Sequence, residues 1–200
     1  IGRVRLDAVS PVYVSDIYMQ NQPERTKVKA ILTVNNTSAK TEKQDIYFSV
    51  YEKENPGKVI LEKKLPRVAL KQGTNVVTME LHCPEARIWD LDTPYLYVCG
   101  VDVKSGKKLS DRAVQTFGFR WFEPVGIGKD AMLRLNGRRV MLRTAISWGY
   151  WPATGLYATP EMAEKQVSVA KSMGLNMLNF HRSIGSPVVL EKADELGLLY

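Results

Sequence analysis

Lys27-Val28-Lys29-Ala30-Ile31-Leu32-Thr33-Val34 decides the first part of the fold. Val28, Ala30, Leu32 and Val34 alternate with Lys27, Lys29, Ile31 and Thr33. A period of two puts one set of side chains inward and the other outward, which is the signature of a half-buried strand. Working outward, Ile46, Phe48 and Val50 alternate with Tyr47, Ser49 and Tyr51. Val77, Met79, Leu81 and Cys83 alternate with Thr78, Glu80 and His82. Turn formers separate these runs at Asn35-Asn36, Asn55-Pro56-Gly57, Gln72-Gly73 and Ser105-Gly106. The pattern predicts about seven short strands before Trp121, near Val4–Val9, Lys27–Val34, Gln44–Glu52, Val59–Lys64, Asn75–His82, Tyr95–Lys104 and Leu109–Arg120. Regular short strands with polar turns and no helical period specify a β-sandwich.

Beyond Trp121 the pattern changes. Ala131–Leu135 and Arg138–Arg143 flank Asn136-Gly137, a dipeptide suited to the two positive φ angles of a type I′ hairpin turn. Val140–Ser147 reads as an apolar strand, and Trp148-Gly149-Tyr150-Trp151-Pro152 as an aromatic loop. Thr159-Pro160 and Ser186-Pro187 each pair an N-cap residue with proline at the first helical position. Gly174 and Gly197 stand where helices end. Leu175–Phe180 is a short strand between the two helices, and Leu198–Tyr200 opens another. Strand–helix–strand–helix–strand is the pattern of a parallel sheet, and two such units alone leave its faces poorly covered. The expected fold class is therefore mainly β. An immunoglobulin-like β-sandwich (residues 1–122) is followed by an incomplete (β/α) barrel segment (residues 123–200). The boundary is expected between Phe119 and Lys129, where Pro124, Gly126 and Gly128 loosen the chain.

Composition narrows the function classes. The 200 residues are 44% hydrophobic and 24% charged, which excludes a disordered chain. No apolar run approaches the ~18 residues of a membrane span, so no membrane partner is expected. No signal segment opens the chain, and its start at Ile1 suggests a fragment or a processed form. The formal charge of +7 is dispersed, densest at Lys129, Arg134, Arg138, Arg139 and Arg143, so nucleic acid is not the expected partner. A polyanion-binding domain is the reading left to that charge alone. Cys83 and Cys99 lie in apolar strand-like runs without a CxxC, and with His82 and His181 they lack metal-ligand spacing. They read as reduced, buried small side chains, with no metal and no cofactor. Gly126-Ile127-Gly128-Lys129 is not a phosphate loop, because Glu123 and Asp130 occupy positions that need Gly and Ser/Thr.

Five blocks carry a family resemblance. They are Leu91-Asp92-Thr93-Pro94-Tyr95-Leu96-Tyr97, Phe117-Gly118-Phe119-Arg120, Leu135-Asn136-Gly137-Arg138-Arg139-Val140-Met141-Leu142-Arg143, Met173-Gly174-Leu175-Asn176 and Ala193-Asp194-Glu195-Leu196-Gly197-Leu198-Leu199. In this order over roughly residues 90–200 they resemble glycoside hydrolase family 2, the family of β-galactosidases, β-glucuronidases and β-mannosidases. The first 90 residues match only in style. The resemblance implies a sandwich followed by the first two βα units of a (β/α)8 barrel, with a carbohydrate substrate. It leans toward a periplasmic or secreted location, which the sequence itself does not fix.

Barrel active sites lie at the C-terminal ends of the strands. The loops in that position are Ser147–Tyr157 and His181–Gly185. Trp148, Tyr150 and Trp151 are candidate substrate-binding residues: they suit either a stacking platform for a sugar's C–H face or domain packing. His181 and Arg182 could hydrogen-bond sugar hydroxyls or serve structure. The sequence departs from the family's RGxNxHxxxP after strand one, since Thr144 replaces the glycine and no histidine follows. Asn179, the remaining substrate-binding candidate, stands where a substrate-facing arginine is usual. These changes point to a divergent sugar pocket.

Retaining glycoside hydrolysis needs two carboxylates about 5–5.5 Å apart. In the family they are the Glu of an Asn-Glu pair ending strand four and a Glu ending strand seven. The chain has no Asn-Glu dipeptide, so it holds no expected catalytic residue. Glu161 and Glu164 fall in the first turns of a helix, and Glu191, Asp194 and Glu195 on the second, where structural roles are expected. The leading expectation is an inactive fragment of a retaining, exo-acting hydrolase, prone to self-association through its incomplete barrel. The alternative is a non-catalytic immunoglobulin-like carbohydrate-binding or scaffold module.

Overall fold

The computed structural model describes residues 6–151, 154–182 and 184–200. The chain divides into two compact units. One holds residues 6–87 and Leu96–Phe119; the other holds Ile88–Tyr95 and the residues from Arg120 on.

The first unit is all β. Strands β1 (Val12–Asn21), β2 (Lys27–Asn36) and β5 (Gly73–His82) form a sheet in the order β1-β2-β5. Strands β3 (Glu42–Glu52), β4 (Asn55–Leu70), β6 (Tyr97–Ser105) and β7 (Lys108–Phe117) form a second, in the order β4-β3-β6-β7. All neighbours are antiparallel. In a constant-type immunoglobulin sandwich the fourth strand sits beside the fifth; here it pairs with β3. The alternation read from the sequence is the observed burial: Val28, Ala30, Leu32, Val34, Ile46, Phe48, Val50, Cys99, Val101 and Val103 are buried. The two sheets are tied at their β1 and β7 edges. The Val14 N–H donates to Asp111 Oδ2 at 2.7 Å, and Asn21 Nδ2 donates to the Gly118 carbonyl at 2.9 Å.

The first strand departs from expectation. Residues 6–9 are not a strand, and residues 4 and 5 lie outside the described residues; β1 is Val12–Asn21. A bulge between Val14 and Asp16 explains why it was unreadable. The bulge switches the inward set from Val12 before it to Ile17 and Met19 after it, so no single period of two runs through the segment. Strand β4 is also far longer than Val59–Lys64, and register shifts in its pairing with β3 break its pattern.

In the second unit a three-stranded sheet runs β10-β9-β8, from β8 (Phe122–Val125), β9 (Met132–Leu135) and β10 (Arg138–Val140). Asn136 and Gly137 turn β9 into β10 with φ of 54° and 79°, as the Asn-Gly signal requires. The asparagine does more than turn the chain. Its Nδ2 donates to the Trp89 carbonyl at 2.8 Å and its Oδ1 accepts from the Trp121 N–H at 3.2 Å. The expected single strand Val140–Ser147 is two elements: β10 stops at Val140 and β11 is Thr144–Ser147. The break falls where Arg143 N–H donates to Asn176 Oδ1 at 2.8 Å, replacing a ladder bond with a side-chain one.

Strand β11 pairs in parallel with β12 (Met177–Phe180), and Met177 bridges in parallel to Leu199. Helices α1 (Pro160–Ser172) and α2 (Pro187–Leu196) connect them. Thr159 caps α1, its hydroxyl accepting from the Met162 N–H at 3.3 Å; Ser186 stands at the N-cap of α2 without a side-chain cap bond. Ala163, Val167 and Ala170 of α1, Val189 and Ala193 of α2, Leu178 and Leu198 form one buried cluster. Leu178 and Leu198 are therefore well covered, contrary to what a bare half-barrel would predict. Met141 and Ile146 are not, at 69% and 59% exposed.

The segment Ile88–Tyr95 is a keystone of this unit. Trp89 is fully buried, with Nε1 donating to the Asp194 carbonyl at 2.7 Å and the Arg120 guanidinium over its ring at 4.2 Å. Lys171, in the last turn of α1, donates to the carbonyls of Leu91, Leu196 and Gly197 at 2.6, 2.6 and 3.0 Å. One ammonium thus serves the carbonyl end of α2, where a cation is favoured by the helix dipole.

Candidate substrate-binding site at the strand ends

The site is built on the C-terminal ends of β11 and β12. Ser147 ends β11 and is 95% buried, at 5% exposure. Its carbonyl accepts from the His181 N–H at 2.9 Å, its hydroxyl accepts from Gln166 Nε2 at 2.8 Å, and the Gly149 N–H approaches that hydroxyl at 3.4 Å. Gln166 in turn accepts from the Tyr200 hydroxyl at 3.5 Å. Burial pushes the Tyr200 phenol up, partly offset by a bond to Ser147, so it stays a neutral donor. Phe180 stacks on Tyr200 at 4.2 Å between ring centres. This part-buried polar network, centred on the buried Ser147, ties together the backbone from which both loops leave.

Trp148 and His181, one from each loop, meet at 4.0 Å between ring centres, with planes 37° apart. Trp148 is 69% exposed, so the pair faces solvent. Tyr150 is exposed as well. Trp151 does otherwise: it packs against the helical core, and its backbone bridges to Gly155. Pro152, Ala153 and Ser183 lie outside the described residues. Asn179 is exposed, and it pairs in register with Ile146 on the sheet face opposite Leu178 and its helical cluster. Arg182 is exposed with φ of 52°, a left-handed conformation that non-glycine residues adopt at a cost and that clusters at functional positions. Trp148 and His181 are thus brought together, Asn179 and Arg182 stand on the exposed side, and Trp151 is drawn into packing. Sequence reasoning missed Ser147, Gln166 and Tyr200; serine at a strand end and glutamine within a helix carry no local signal of a shared network.

Chemically, the arrangement offers an aromatic surface and donors without an acid. The two strand-end loops contain no Asp or Glu. Asp194 pairs with Arg120 at 2.7 Å, Glu195 with Lys192 at 2.8 Å, and Glu164 with Lys192 at 3.5 Å. Glu161 is held below the usual carboxylate range by its hydrogen bond with Thr159, as suits a helix N-terminus. Among the described residues no group of three or more His, Cys, Asp or Glu comes together to hold a metal.

The chain thus joins a β-sandwich unit to a unit with a parallel sheet whose strand ends carry aromatic and donor groups, and sequence comparison defines its family. Residues 12–120 match the family model for glycosyl hydrolases family 2, and the chain belongs to that family. A putative beta-glucuronidase of Formosa agariphila is 31% identical over 113 residues, 56% of this chain and 13% of that protein. A beta-galactosidase of Bacteroides ovatus is 25% identical over 124 residues, 62% of this chain and 14% of that protein. Four curated relatives are each spanned by this chain over only 12–14% of their length. Among solved structures, a family 2 member from Bacteroides cellulosilyticus superposes with a TM-score of 0.83 at 22% identity, over 96% of this chain and 25% of that one. The Parabacteroides merdae beta-glucuronidase does so with a TM-score of 0.75 at 26% identity, over 94% and 23%.

Proposed function

We propose that the chain is a segment of a retaining, exo-acting β-glycoside hydrolase. In this reading residues 1–122 are an immunoglobulin-like sandwich and residues 123–200 are the first two βα units of a catalytic (β/α)8 barrel. The observation that carries it is the one-sided parallel sheet. Helices α1 and α2 cover one face of β11 and β12, while Ile146 and Asn179 are exposed on the other, and parallel sheets are stable when both faces are covered. Further barrel strands would cover that face and place Trp148, His181 and Arg182 at the barrel mouth, where substrates bind. There Trp148 stacks against a sugar ring, and His181, Arg182 and Asn179 hydrogen-bond hydroxyls. Tyr150 lies at the rim, and Trp151 contributes by packing. Both catalytic carboxylates come from elsewhere in the enzyme, so the 200-residue chain is inactive, and its open sheet face favours self-association.

The test is kinetic and stereochemical. The purified 200-residue chain should not release aryl alcohol from aryl β-glycosides above a mock preparation. The product of the whole parent gene should release it and give first a sugar of retained anomeric configuration by proton NMR. Trp148→Ala and His181→Ala in that enzyme should raise KM with little change in kcat. An inverted first product, or turnover by the chain alone, would overturn the reading.

A further inference from the structure

Gln166 belongs to α1, on the covered side of β11 and β12, and reaches the strand ends from behind. Its Nε2 donates to Ser147 Oγ at 2.8 Å, and its Oε1 accepts from the Tyr200 hydroxyl at 3.5 Å. Ser147 passes this contact on in two directions. Its hydroxyl accepts from the Gly149 N–H at 3.4 Å, and its carbonyl accepts from the His181 N–H at 2.9 Å. The first bond spans Trp148, and the second holds the residue whose ring Trp148 meets at 4.0 Å between centres. Tyr200 braces the other loop. Its ring stacks on Phe180, the residue before His181, at 4.2 Å. Gly185, at the far end of that loop, lies so close to the Phe180 ring that a Cβ there would overlap it.

The pair that these bonds serve gains little from core packing. Trp148 is 69% exposed, and Gly149 beside it has a φ of 64°. A large exposed side chain free to rotate loses that freedom whenever a ligand docks on it, and binding weakens by that cost. Contact groups are precise when a surrounding layer of hydrogen bonds locks their geometry. Stability alone does not call for polar partners behind the sheet. An apolar pair of the same shape in place of Gln166 and Ser147 would be nearly neutral, but it would leave the Gly149 N–H without its anchor.

We propose that Gln166 is a positioning residue: acting through Ser147, it holds the Trp148–His181 pair in one arrangement and so sets the affinity of the strand-end site for its sugar. That the ligand is a sugar rests on the hydrolase function proposed above; the ordering of the pair does not. In the 200-residue chain the His181 ring protons should carry an upfield shift from the Trp148 indole, which Trp148→Ala removes. Gln166→Leu and Ser147→Ala should each remove most of it. In the whole parent enzyme both variants should raise KM for an aryl β-glycoside about five- to tenfold, with kcat within about twofold. Added to Trp148→Ala, Gln166→Leu should raise KM by less than about a further twofold, because the group it acts through is already gone. Val167→Ala, the next residue of α1 and part of the helical core, should lower Tm yet leave KM and the His181 shift unchanged. An unchanged His181 shift in both Gln166→Leu and Ser147→Ala would overturn the proposal. So would a Gln166→Leu effect that multiplies fully with that of Trp148→Ala, or a KM rise in Val167→Ala as large as in Gln166→Leu. An unmutated parent enzyme without turnover would overturn the hydrolase reading instead, and the His181 shift alone would then decide the positioning.

Discussion

Gly174 and Gly197 follow the two helices with the same φ of 78°, yet alanine should be tolerated at one and not at the other. At Gly174 a Cβ would meet nothing within 4 Å. The cost there is the left-handed backbone alone, about 1–2 kcal/mol for a residue with a Cβ, less a partial offset from a stiffer unfolded chain. At Gly197 the Cβ would be driven into the Leu91 carbonyl oxygen, 2.9 Å from that carbonyl's carbon and 3.0 Å from Lys171 Nζ. Leu91 must retreat, and the charge-assisted bond from Lys171 to its carbonyl is lost, worth about 1.5–3 kcal/mol. The expected costs are therefore about 1 kcal/mol for Gly174→Ala and about 3 kcal/mol for Gly197→Ala. At about 4–8 °C per kcal/mol for a unit of this size, the gap is on the order of 10 °C in Tm. The four tryptophans, Trp89, Trp121, Trp148 and Trp151, all belong to the second unit, so tryptophan fluorescence reports its unfolding and not that of the sandwich. Two variants that differ by less than about 0.5 kcal/mol would refute the steric and ionic reasoning.

Other outcomes are expected on the same physical grounds. Lys171→Met should destabilise the second unit by about 2 kcal/mol in the same fluorescence assay, because three carbonyls lose their donor. Asn136→Gly keeps the turn's φ but removes two side-chain bonds, so a loss of about 1–2 kcal/mol in urea unfolding should appear despite an unstrained turn. Cys83 and Cys99 are buried, and burial pushes their thiols up to about 11 and about 12. They should resist a thiol reagent at neutral pH and show no two-proton mass loss. Because the folded pKa values lie above the ordinary thiol value of 9.0, the unfolded state releases these protons first, and stability should fall as pH rises from about 9 toward 11 and 12. Sizing of the chain should show concentration-dependent self-association that Ile146→Lys reduces, since Ile146 is exposed on the open sheet face.

The strand alternation, the Asn-Gly hairpin, both helices with their caps and the family were legible because each rests on a local period or a short run of residue types. Strand β1 was not, because one bulge reverses which side of the chain points inward at Ser15. Strand β8 was missed since Phe122-Glu123-Pro124-Val125 has neither length nor alternation, and its pairing with Met132–Leu135 is set across a loop. For the site, Trp148, His181 and Arg182 could be singled out from their place after strands, and Asn179 from the family resemblance. What could not be read is that Trp151 turns into the helical core while Trp148 turns out to meet His181. That choice is made by packing between elements distant in sequence. The same holds for Ser147, Gln166 and Tyr200, whose shared network joins three segments.

The excursion of Ile88–Tyr95 bears on how this chain could be cut or shuffled. The polypeptide leaves the sandwich after Arg87, lends eight residues to the other unit, returns at Leu96 and leaves again after Phe119. A gene fragment ending near Arg120 would carry Trp89 and Leu91 away from Asp194, Asn136 and Lys171, exposing a tryptophan whose hydrogen-bond partners Asp194 and Asn136 both belong to the missing half. Conversely, a fragment starting at Arg120 would lack its own keystone. No single crossover separates the two units cleanly, so recombination is expected to transmit the sandwich and the sheet that follows it as one heritable block.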